Sequence, residues 1–437
     1  MRNQTTGVLY VLDEPSIGLH PSNIDGLNGV IRDLLRDGNS VVLVDHDVQV
    51  LRKADWFIEI GPGSGNEGGT IVAEGTLDQL TESPSSLIAG FLSGTEPTRV
   101  RDTVSSPQLF ERGRLRLATR PLHTVHALDV EIPKGRLTAV TGVSGSGKTT
   151  LVLESLVPAL EAAAAGDPLP AHIAAVEPSG IQRVNVVDAT PIGTNVRSTV
   201  ATYSGVLDDL RRAYAALDES KRRDLTTSDF SYNTGSLRCP RCEGTGQISL
   251  DVQFLPDVDI PCPDCDGTRY SPAAQDLRRP GGLSLPEMLC LSVRESIEVT
   301  EDLPKVRRKL QILIDLGLGY LTLGEDTPAL SGGEAQRLKL ATELGRTQSD
   351  AVFVLDEPSV GLHPLDIRVL LRVIDRLGAK GATVIVIEHD LDMIANADYI
   401  IDMGPGGGAA GGTIVATGTP RDIARSPDSV TGRYLTE

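Results

Sequence analysis

The residues from Gly142 to Thr150 carry the most specific chemical pattern in this sequence. They read GVSGSGKTT and match the pattern GxxxxGK[ST] in full. An apolar run from Leu137 to Val140 precedes them and a helical run ending at Leu156 follows, which predicts a strand, a turn and a helix. Glycines let backbone N–H groups turn toward a phosphate at a helix N-terminus, where the helix dipole favours anions. The pattern therefore predicts a phosphate-binding loop.

Each residue of this loop has an expected role. We expect Lys148 to neutralise the β- and γ-phosphates of ATP and the Thr149 hydroxyl to bind Mg²⁺. The other residues expected to surround the phosphates are Gly142, Ser144, Gly145, Ser146, Gly147 and Thr150. An ordinary Gly/Ser turn is the alternative interpretation, and the flanking strand and helix disfavour it.

Two adjacent carboxylates, Asp356 and Glu357, follow the apolar run from Ala351 to Leu355. We expect Asp356 to bind Mg²⁺ through water and Glu357 to polarise the attacking water as a general base. His389 ends the next predicted strand, and we expect it to hydrogen-bond the γ-phosphate. A structural histidine is the alternative, but its place after the Asp-Glu strand favours catalysis. Glu357, His389 and Lys148 are therefore the predicted catalytic residues.

The sequence LSGGE ends about twenty residues before the Asp-Glu strand and begins a predicted helix, with Ser331 as its cap. The predicted signature residues are Ser331, Gly332, Gly333 and Glu334. LSGG alone is a weak signal, but the order phosphate loop, LSGGE, Asp-Glu, His resembles the ATP-binding-cassette ATPases. In that family, ATP lies between the phosphate loop of one cassette and the LSGG of a facing one.

Four of the five cysteines are grouped in two close pairs. Cys239, Cys242, Cys262 and Cys265 have the spacing C-x₂-C-x₁₉-C-x₂-C, which agrees with structural Zn²⁺ sites. Four thiolates would leave no open coordination position, so the spacing predicts a structural zinc. Four unconnected thiols are the alternative interpretation. Cys290 lies in an apolar stretch and is predicted to be a buried small hydrophobic residue.

The sequence contains an internal repeat. VLDEPSIGLHP recurs as VLDEPSVGLHP, so Asp13 and Asp356 are 343 residues apart, as are His46 and His389. About seventy residues align without a gap and about half are identical, which excludes a chance match. Asp13, Glu14 and His46 are thus first-copy counterparts of the predicted Asp-Glu-His set.

The repeat and the motifs together predict an α/β, P-loop NTPase fold of the ATP-binding-cassette type. We predict that residues 1–82 are the carboxyl-terminal part of a first cassette, followed by a linker at 83–114 rich in Ser, Pro and Thr. Residues 115–437 are predicted to be a second, complete cassette. We expect a signature and zinc domain inserted at 191–326, with its cysteine module at 239–265.

A cassette with a four-cysteine module between phosphate loop and LSGGE resembles the UvrA family of bacterial nucleotide excision repair. Nearly the whole sequence shares its motifs, among them GVSGSGKTTL, ATYSGVLDDLR, FSYN, FLPDV, CDGTRY, LSGGEAQRLKLATEL and TGRYL. The resemblance implies an ATPase with two cassettes per chain that dimerises, binds DNA around the second zinc module and hands lesions to UvrB. It implies the cofactors ATP, Mg²⁺ and structural Zn²⁺, and no nuclease activity of its own.

Two features depart from the family's pattern. The sequence begins just ahead of Asp13, so we expect the first cassette's phosphate loop, zinc module, LSGG and UvrB-docking region to be missing. Asp13, Glu14 and His46 would then have no phosphate loop to serve. A homodimer or a partner chain would have to supply the missing half and a facing LSGG. Ala189 also replaces the glutamine that the family has ahead of Pro191 and that couples hydrolysis to the rest of the protein.

The candidate DNA-binding residues are basic side chains around the cysteine module. They are Arg197, Arg211, Arg212, Arg222 and Arg223, with Lys221, Arg238 and Arg241 as further members. A solvated helix face is the alternative interpretation of 221–223. The formal net charge of -18 excludes a protein that coats nucleic acid by bulk charge, but phosphate contacts need only a local stripe. We therefore expect weak, salt-sensitive binding.

Four functions remain as hypotheses. The first is a UvrA-like ATPase that binds DNA in damage recognition, and the second is a drug-resistance or stress ATPase of the same family without damage specificity. The second is motivated by the loss of basic residues from PIGTNVRSTVATY. An inactive fragment and the nucleotide-binding subunit of a transporter are the others, and the zinc module disfavours the last.

No apolar run approaches the roughly 20 residues of a membrane span. Few cysteines and no secretory signal predict a cytoplasmic location.

Overall fold

The structure is a computed structural model that describes residues 6–63, 68–188, 190, 192–193, 195, 197–250, 258–344 and 348–435. The chain divides into two compact units. The first unit comprises Met1–Ala189 and Arg346–Glu437, and the second comprises Thr190–Gly345. In the part of the chain that the structure describes, no helix has the length and apolar character needed to cross a membrane.

The first copy of the repeat folds as alternating strands and helices. In chain order they are β1 (Leu9–Asp13), α1 (Pro21–Arg36), β2 (Ser40–Val44), α2 (Val48–Leu51), β3 (Phe57–Gly61), β4 (Thr70–Gly75), α3 (Leu77–Glu82) and α4 (Ala89–Ser93). β1 and β2 pair in parallel, whereas β3 and β4 pair antiparallel. Strands β1 and β2 coincide with the apolar stretches LYVL and VVLV of the sequence, and helix α1 starts at the proline after His20.

The second cassette begins with an antiparallel sheet and the strand of the phosphate loop. Its elements are β5 (Arg114–Thr119), β6 (Asp129–Pro133), β7 (Leu137–Gly142), α5 (Lys148–Leu151), α6 (Val157–Ala165), β8 (Ile173–Glu177) and β9 (Arg183–Val187). A π-helical turn, Val152–Leu156, joins α5 to α6. Pro158 follows this turn, and because proline has no N–H it cannot bond to the carbonyl four residues earlier.

The second unit is mostly helical and contains both the cysteine module and the LSGGE sequence. Its elements are α7 (Val200–Tyr203), α8 (Val206–Ala215), α9 (Asp218–Arg222), β10 (Gln247–Leu250), β11 (Val258–Pro261), α10 (Leu285–Cys290), α11 (Val293–Glu298), α12 (Pro304–Asp315) and α13 (Gly332–Glu343). β10 and β11 form an antiparallel hairpin between the two cysteine pairs. The α7 and α8 segments, which contain the shared motif ATYSGVLDDLR, precede the module.

The chain returns to the first unit with the strand of the second Asp-Glu pair. The elements are β12 (Ala351–Asp356), α14 (Pro364–Ala379), β13 (Thr383–Ile387), α15 (Leu391–Ala395), β14 (Tyr399–Gly404), β15 (Thr413–Gly418) and α16 (Pro420–Ala424). The resulting sheet has the order β15-β14-β7-β13-β12-β9, and all but β15 are parallel. Parallel strands end at a common edge, so the phosphate loop, Asp356 and His389 are brought to one side of the sheet.

The core of the second cassette fills the space between this sheet and the residues of β5 to α6. Both faces of β12 and β13 are covered, as is typical of parallel strands. Within the described residues, no such cover lies over the first copy: Val11 is 65% exposed, whereas Val354, the residue at the same place in the repeat, is 0% exposed. One sequence pattern thus forms a core in the second copy and a surface in the first.

The segment predicted to be a linker, 83–114, contains α4 and a fixed attachment to the second cassette. The guanidinium of Arg101 donates to Asp375 Oδ1, to the carbonyl oxygen of Asn396 and to Asp398 Oδ2. The backbone N–H of Val100 donates to Asn396 Oδ1 at 2.9 Å. Asp398 also accepts from the N–H of Leu137 on β7, so the segment is attached close to the root of the phosphate loop.

Candidate functional site

The phosphate loop has a backbone that only glycine fits at two of its positions. Gly142 has φ 132°, and a Cβ there would lie 2.0 Å from the Met403 carbonyl oxygen. Gly147 has φ 101°, and a Cβ would lie 2.4 Å from Val125 Cγ2. Neither contact could be relieved without moving a neighbouring strand or side chain. The sequence therefore has glycines where a tight loop must turn into a helix N-terminus.

Lys148 is the first residue of α5 and its side chain is folded back into the loop. It is 6% exposed, and Nζ donates to the carbonyl oxygens of Gly142 at 3.1 Å and Val143 at 3.2 Å. Burial lowers the pKa of Lys148 to about 8, although carboxylates led by Glu357 and Asp356 oppose the shift. An ammonium held by carbonyl dipoles inside a glycine loop suits an anionic ligand such as a phosphate.

The rest of the loop divides into buried and accessible positions. The hydroxyl of Ser146 is buried and has no hydrogen-bond partner among the described residues. Ser144, Gly145 and Thr149 are exposed, and the Thr150 hydroxyl donates to Glu154. An unpaired buried hydroxyl beside Lys148 is a group that a bound phosphate oxygen could satisfy. The residues present thus fit ATP with Mg²⁺.

Of the two predicted carboxylates, Asp356 is the last residue of β12 and Glu357 directly follows it. Burial and the neighbouring Asp188 raise the pKa of Asp356. Glu357 has φ 46°, which turns its side chain away from the strand direction, and its N–H donates to the Ile387 carbonyl at 2.9 Å. Burial and then Asp356 raise the pKa of Glu357. A partly buried carboxylate with a raised pKa is suited to accept a proton.

His389 lies beside Glu357, with 3.6 Å between His389 Nε2 and Glu357 Oε1. The ring is 8% exposed, and burial, followed by Lys148 and His20, lowers the pKa of His389 to about 3. The imidazole is therefore neutral at physiological pH. Its Nδ1 has no hydrogen-bond partner in the described parts of the chain. A neutral imidazole can donate one hydrogen bond toward an anionic group without adding a charge.

The first copy repeats this geometry. Glu14 has φ 44°, and His46 Nε2 lies 3.6 Å from Glu14 Oε1, the same distance as in the second copy. Asp13 ends β1 as Asp356 ends β12. The described phosphate loop, however, is joined through β7 to the strands of the second copy. Asp13, Glu14 and His46 are therefore preserved in geometry. In the part of the chain that the structure describes, only the second copy's set has a phosphate loop on its own sheet.

The two Asp-Glu segments face each other across a cavity of about 530 Å³. Its lining includes Glu14 and His46 from the first copy and Glu357 and His389 from the second. The approach is reciprocal. A Cβ on Gly18 would lie 3.4 Å from Glu357 Oε2, and one on Gly361 would lie 3.6 Å from Glu14 Oε2. The copies are thus related by an approximate two-fold arrangement around this cavity.

The signature sequence begins α13 in the second unit. Ser331 is the N-cap predicted from the sequence, and its hydroxyl accepts from the Glu334 N–H. Glu334 Oε2 accepts in return from the Ser331 N–H at 2.7 Å, and its other oxygen accepts from the Tyr320 hydroxyl. Gly332 and Gly333 form the first turn, where backbone N–H groups have no partner inside the helix.

The four predicted metal ligands lie together in the second unit. Cys239 Sγ and Cys262 Sγ are 3.9 Å apart, and Cys242 Sγ and Cys265 Sγ are 3.7 Å apart. All four sulfurs lie within 4.8 Å of one another, and all four residues are buried. Tetrahedral Zn–S bonds of about 2.3 Å require sulfur separations of about 3.8 Å. The cluster therefore fits a four-thiolate zinc site, with the hairpin of β10 and β11 between its halves.

Cys290 differs from its prediction, because it is exposed rather than buried. The apolar stretch around it is the end of α10, where Met288 and Leu289 are buried and Cys290 falls on the opposite face. A hydrophobic run within a short helix cannot place every member inside.

Ala189 and Pro191 lie outside the described residues.

The predicted DNA-binding side chains are engaged within the second unit. The contacts are Arg197 with the carbonyl oxygen of Glu243, Arg211 with Asp208 and the carbonyl oxygen of Thr227, Arg212 with Asp209, Arg222 and Arg223 with Glu219, Lys221 with Asp218, Arg238 with the carbonyl oxygen of Asn233, and Arg241 with Asp264. By contrast, Lys305, Arg307 and Arg308 of α12 are exposed, and their charged groups have no ion pair with any described residue.

Three residues near the phosphate loop were not anticipated from the sequence. His20 is completely buried beside His389, Asn23 donates to the Ser144 hydroxyl at 3.3 Å, and Asp402 is buried on β14. Only His20 carries a signal that could have found it, because the repeat pairs it with His363 in the motif GLHP. The other two depend on contacts between distant parts of the chain.

The sequence is 43% identical to UvrABC system protein A of Staphylococcus aureus strain COL over 443 residues, covering 100% of this chain and 46% of that protein. The same-named protein of Lactococcus lactis is also 43% identical, over 98% of this chain and 46% of its own. The crystal structure of UvrA2 from Deinococcus radiodurans matches with a TM-score of 0.89 and 41% identity over 99% of this chain. Over nearly its whole length, this chain is similar to proteins of the UvrA family.

The UvrA likeness covers the second cassette, the cysteine module and the first-copy elements together. The fold is the ATP-binding-cassette fold, with one complete cassette preceded by the carboxyl-terminal part of another. A chain in a model of ribosome-bound archaeal Pelota and ABCE1 shares the fold alone, at 19% identity and a TM-score of 0.51. No protein-family model matches the sequence. The chain spans about half the length of the curated UvrA relatives it matches, and 52% of the Deinococcus protein.

The four-cysteine cluster predicts a zinc dependence that one matched pair of variants can test. Cys242→Ser should lower bound zinc from one per chain to nearly none, because the tetrahedral set loses a ligand. Cys290→Ser changes an exposed thiol outside the cluster and should keep the metal. Metal analysis of the purified variants measures both. Full zinc content in Cys242→Ser, or loss of zinc in Cys290→Ser, would contradict the assignment.

Proposed function

We propose that this chain is a UvrA-like ATPase that hydrolyses ATP in its second cassette, binds DNA and takes part in damage recognition in nucleotide excision repair. The observation that carries the proposal is the arrangement of Lys148, Glu357 and His389 around one glycine loop. A buried ammonium, a carboxylate with a raised pKa and a neutral imidazole lie at the end of one parallel sheet. This is the set of groups that phosphoryl transfer to water requires.

Each of these residues has a distinct part in the proposed reaction. Mg²⁺, when bound by Thr149 and Asp356, would neutralise charge on the phosphates. Lys148 exchanges its contacts with loop carbonyls for contacts with phosphate oxygens, and the loop's N–H groups hold the anion at the start of α5. Glu357 orients a water and accepts its proton. His389 donates a hydrogen bond from a neutral ring. Glu357 is therefore the group that takes up the proton of the water.

The exposed cations of α12 support the DNA-binding part of the proposal better than the predicted arginines do. Lys305, Arg307 and Arg308 follow Pro304 within one turn and a half of helix, and all three are exposed. Release of counterions from phosphates gives such a cluster its affinity, whereas an arginine that already binds a carboxylate must first give up that contact. Handing a lesion to UvrB is proposed from the family alone.

The apolar surface of the first copy supports a partner that completes the first cassette. Seven side chains on β1 to β4 are between 48% and 68% exposed: Leu9, Val11, Val42, Val44, Ile58, Ile60 and Ile71. Their counterparts 343 residues later include Val352, Val354, Ile385, Ile387, Ile401 and Met403, all within the core that β5 to α6 cover. Exposed apolar side chains grouped in this way on paired strands mark a contact surface. We propose that the amino-terminal half of a cassette covers it, from the same or another polypeptide.

A second candidate function is a drug-resistance or stress ATPase of the same family without damage specificity. The observation that favours it is the pairing of the predicted arginines, such as Arg222 and Arg223 with Glu219, which leaves fewer cations around the cysteine module. We propose a cytoplasmic location for either function, because a four-thiolate site needs reduced cysteines.

The hydrolytic assignment predicts different effects for two substitutions. Lys148→Ala should abolish ATP turnover together with tight nucleotide binding, because the loop loses its only ammonium. Glu357→Gln should reduce turnover by about a hundredfold or more while binding persists, since the amide keeps the shape but cannot accept a proton. Turnover assays and equilibrium binding of a fluorescent nucleotide measure the two effects. Wild-type turnover in Glu357→Gln would refute the assignment.

The α12 cations predict a change in the salt dependence of DNA binding. Changing Lys305, Arg307 and Arg308 to Ala should weaken DNA binding. It should also reduce the magnitude of the slope of log affinity against log salt concentration by about 0.9 for each lost phosphate contact. Fluorescence anisotropy with damaged and undamaged duplex, at about 50 to 200 mM salt, provides the measurement. The double change of Arg222 and Arg223 to Ala serves as the comparison and should alter the slope less. Equal slopes in the α12 variant and the wild type would count against this surface.

The apolar surface predicts opposite outcomes for one substitution at two equivalent positions. Val11→Thr should change the free energy of unfolding by less than about 0.5 kcal/mol, because Val11 is exposed. Val354→Thr should cost about 1 to 3 kcal/mol, since it buries a hydroxyl. Chemical denaturation measures both.

Co-expression with the amino-terminal half of a UvrA-family cassette should give a complex that Val11→Asp weakens, and equal complex formation would overturn the proposed partner.

A further inference from the structure

Two histidines follow the Asp-Glu segments at equivalent places in the repeat. His20 precedes α1 and His363 precedes α14, and they are 343 residues apart. Each caps its helix, because Nδ1 accepts a backbone N–H at 3.2 Å, from Ser22 in the first copy and Leu365 in the second. Capping explains why a hydrogen-bond acceptor occupies this position. It does not explain where the Nε2 edge of each ring lies.

Each ring contacts the histidine of the opposite copy. The ring centroids of His20 and His389 are 5.8 Å apart with an interplanar angle of 82°, an edge-to-face contact. His363 and His46 are 6.3 Å apart at 81°. The first copy therefore delivers a residue to the Glu357–His389 pair, and the second copy delivers one to the pair of the first copy. Neither contact exists within a single copy.

Among the described residues, the contact of His20 is supported by a further chain of hydrogen bonds, and that of His363 is not. Since His20 Nδ1 accepts from Ser22, the ring proton is on Nε2, which donates to the Thr431 hydroxyl at 3.1 Å. Thr431 then donates to Asp402 Oδ1 at 3.0 Å. Burial and Lys148 lower the pKa of His20 to about 4, which agrees with a neutral ring. Position 88, equivalent to Thr431 in the first copy, is isoleucine and cannot continue such a chain.

Neighbouring contacts hold the same part of α1 against the second cassette. Asn23 donates to the hydroxyl of Ser144 in the phosphate loop, and the Tyr434 hydroxyl donates to Asp25 Oδ2 at 2.8 Å. His20 itself is 0% exposed. The histidine is therefore locked in place from both sides, by the carboxyl-terminal segment and by the loop.

His389 needs such a support because little else fixes its ring. Its Nδ1 has no hydrogen-bond partner among the described residues, and its Nε2 is 3.6 Å from Glu357, beyond a normal hydrogen bond. A ring without hydrogen bonds is oriented by packing alone, and a site held about 0.5 Å from its productive geometry loses activity. The edge of His20 supplies that packing.

We propose that His20 is a positioning residue, supplied by the first copy of the repeat, that orients His389 beside Glu357 in the hydrolytic site of the second cassette. The inference rests on the proposed ATP hydrolysis. It gives the first copy a part in that reaction even though the described phosphate loop belongs to the other copy. His363 makes the equivalent contact at the first copy's pair and serves as the internal comparison.

The experiment compares the same substitution at both positions in the full chain. Asparagine is a good helix cap, so His20→Asn and His363→Asn each keep the cap and remove the ring. We expect His20→Asn to lower kcat for ATP about tenfold or more, with the nucleotide Kd within about twofold. His363→Asn should leave kcat within about twofold of the wild type. His20→Phe, which restores an aromatic edge, should recover part of the lost kcat.

A second readout does not depend on turnover. In the nucleotide-free protein, the ring-proton NMR signals of His389, assigned by their loss in His389→Gln, should shift in His20→Asn and stay in place in His363→Asn. Unchanged His389 signals, or an equal loss of kcat in both asparagine variants, would overturn the inference. If the wild type hydrolyses no ATP, the proposed function fails, and the NMR signals still decide whether His20 orients His389.

Discussion

The burial of the Lys148 ammonium is the constraint on which the architecture of the first unit depends. A cation that is 6% exposed is costly unless carboxylates and carbonyl dipoles surround it. The carboxylates that raise its pKa against burial are Glu357, Asp356, Asp402 and Glu388. They come from, or directly follow, β12, β13 and β14. Because these parallel strands end at one edge of the sheet, they bring the four carboxylates to one loop.

The difference between local and distant contacts explains why similar sequences have different surroundings in the two copies. Glu388 accepts hydrogen bonds from the hydroxyl and N–H of Ser359, and in the first copy Asp45 accepts the equivalent bonds from Ser16. These contacts are local and survive wherever the repeat occurs. Burial of Val354 is not local, because it depends on residues more than 180 positions away. The first copy therefore keeps its turn geometry while the equivalent Val11 lies in solvent.

The boundary between local and distant contacts also separates what the sequence could predict from what it could not. The phosphate loop, the strand ends, the cap at Ser331 and the clustering of the cysteines follow from motifs whose geometry is set within a few residues. The engagement of Arg211 by the Thr227 carbonyl is not predictable from a helical pattern, since it requires the packing of two segments. The exposure of Cys290 depends on which face of a six-residue helix is buried. His20 needs a partner 411 residues away.

Several of the acidic residues of this sequence are concentrated at the cavity between the two copies. Glu388 and Asp390 lie there, and burial raises the pKa of both, as it does for Asp47 of the first copy. Carboxylates at this density repel an anion. A nucleotide bound at the neighbouring phosphate loop would therefore need its metal ion and Lys148 as counter-charges. His20 and His389 are neutral because a proton on either ring would face burial as well as Lys148. The edge-to-face contact between His20 and His389 therefore crosses the boundary between the copies without adding charge to it, which neither a carboxylate nor an ammonium at position 20 could do.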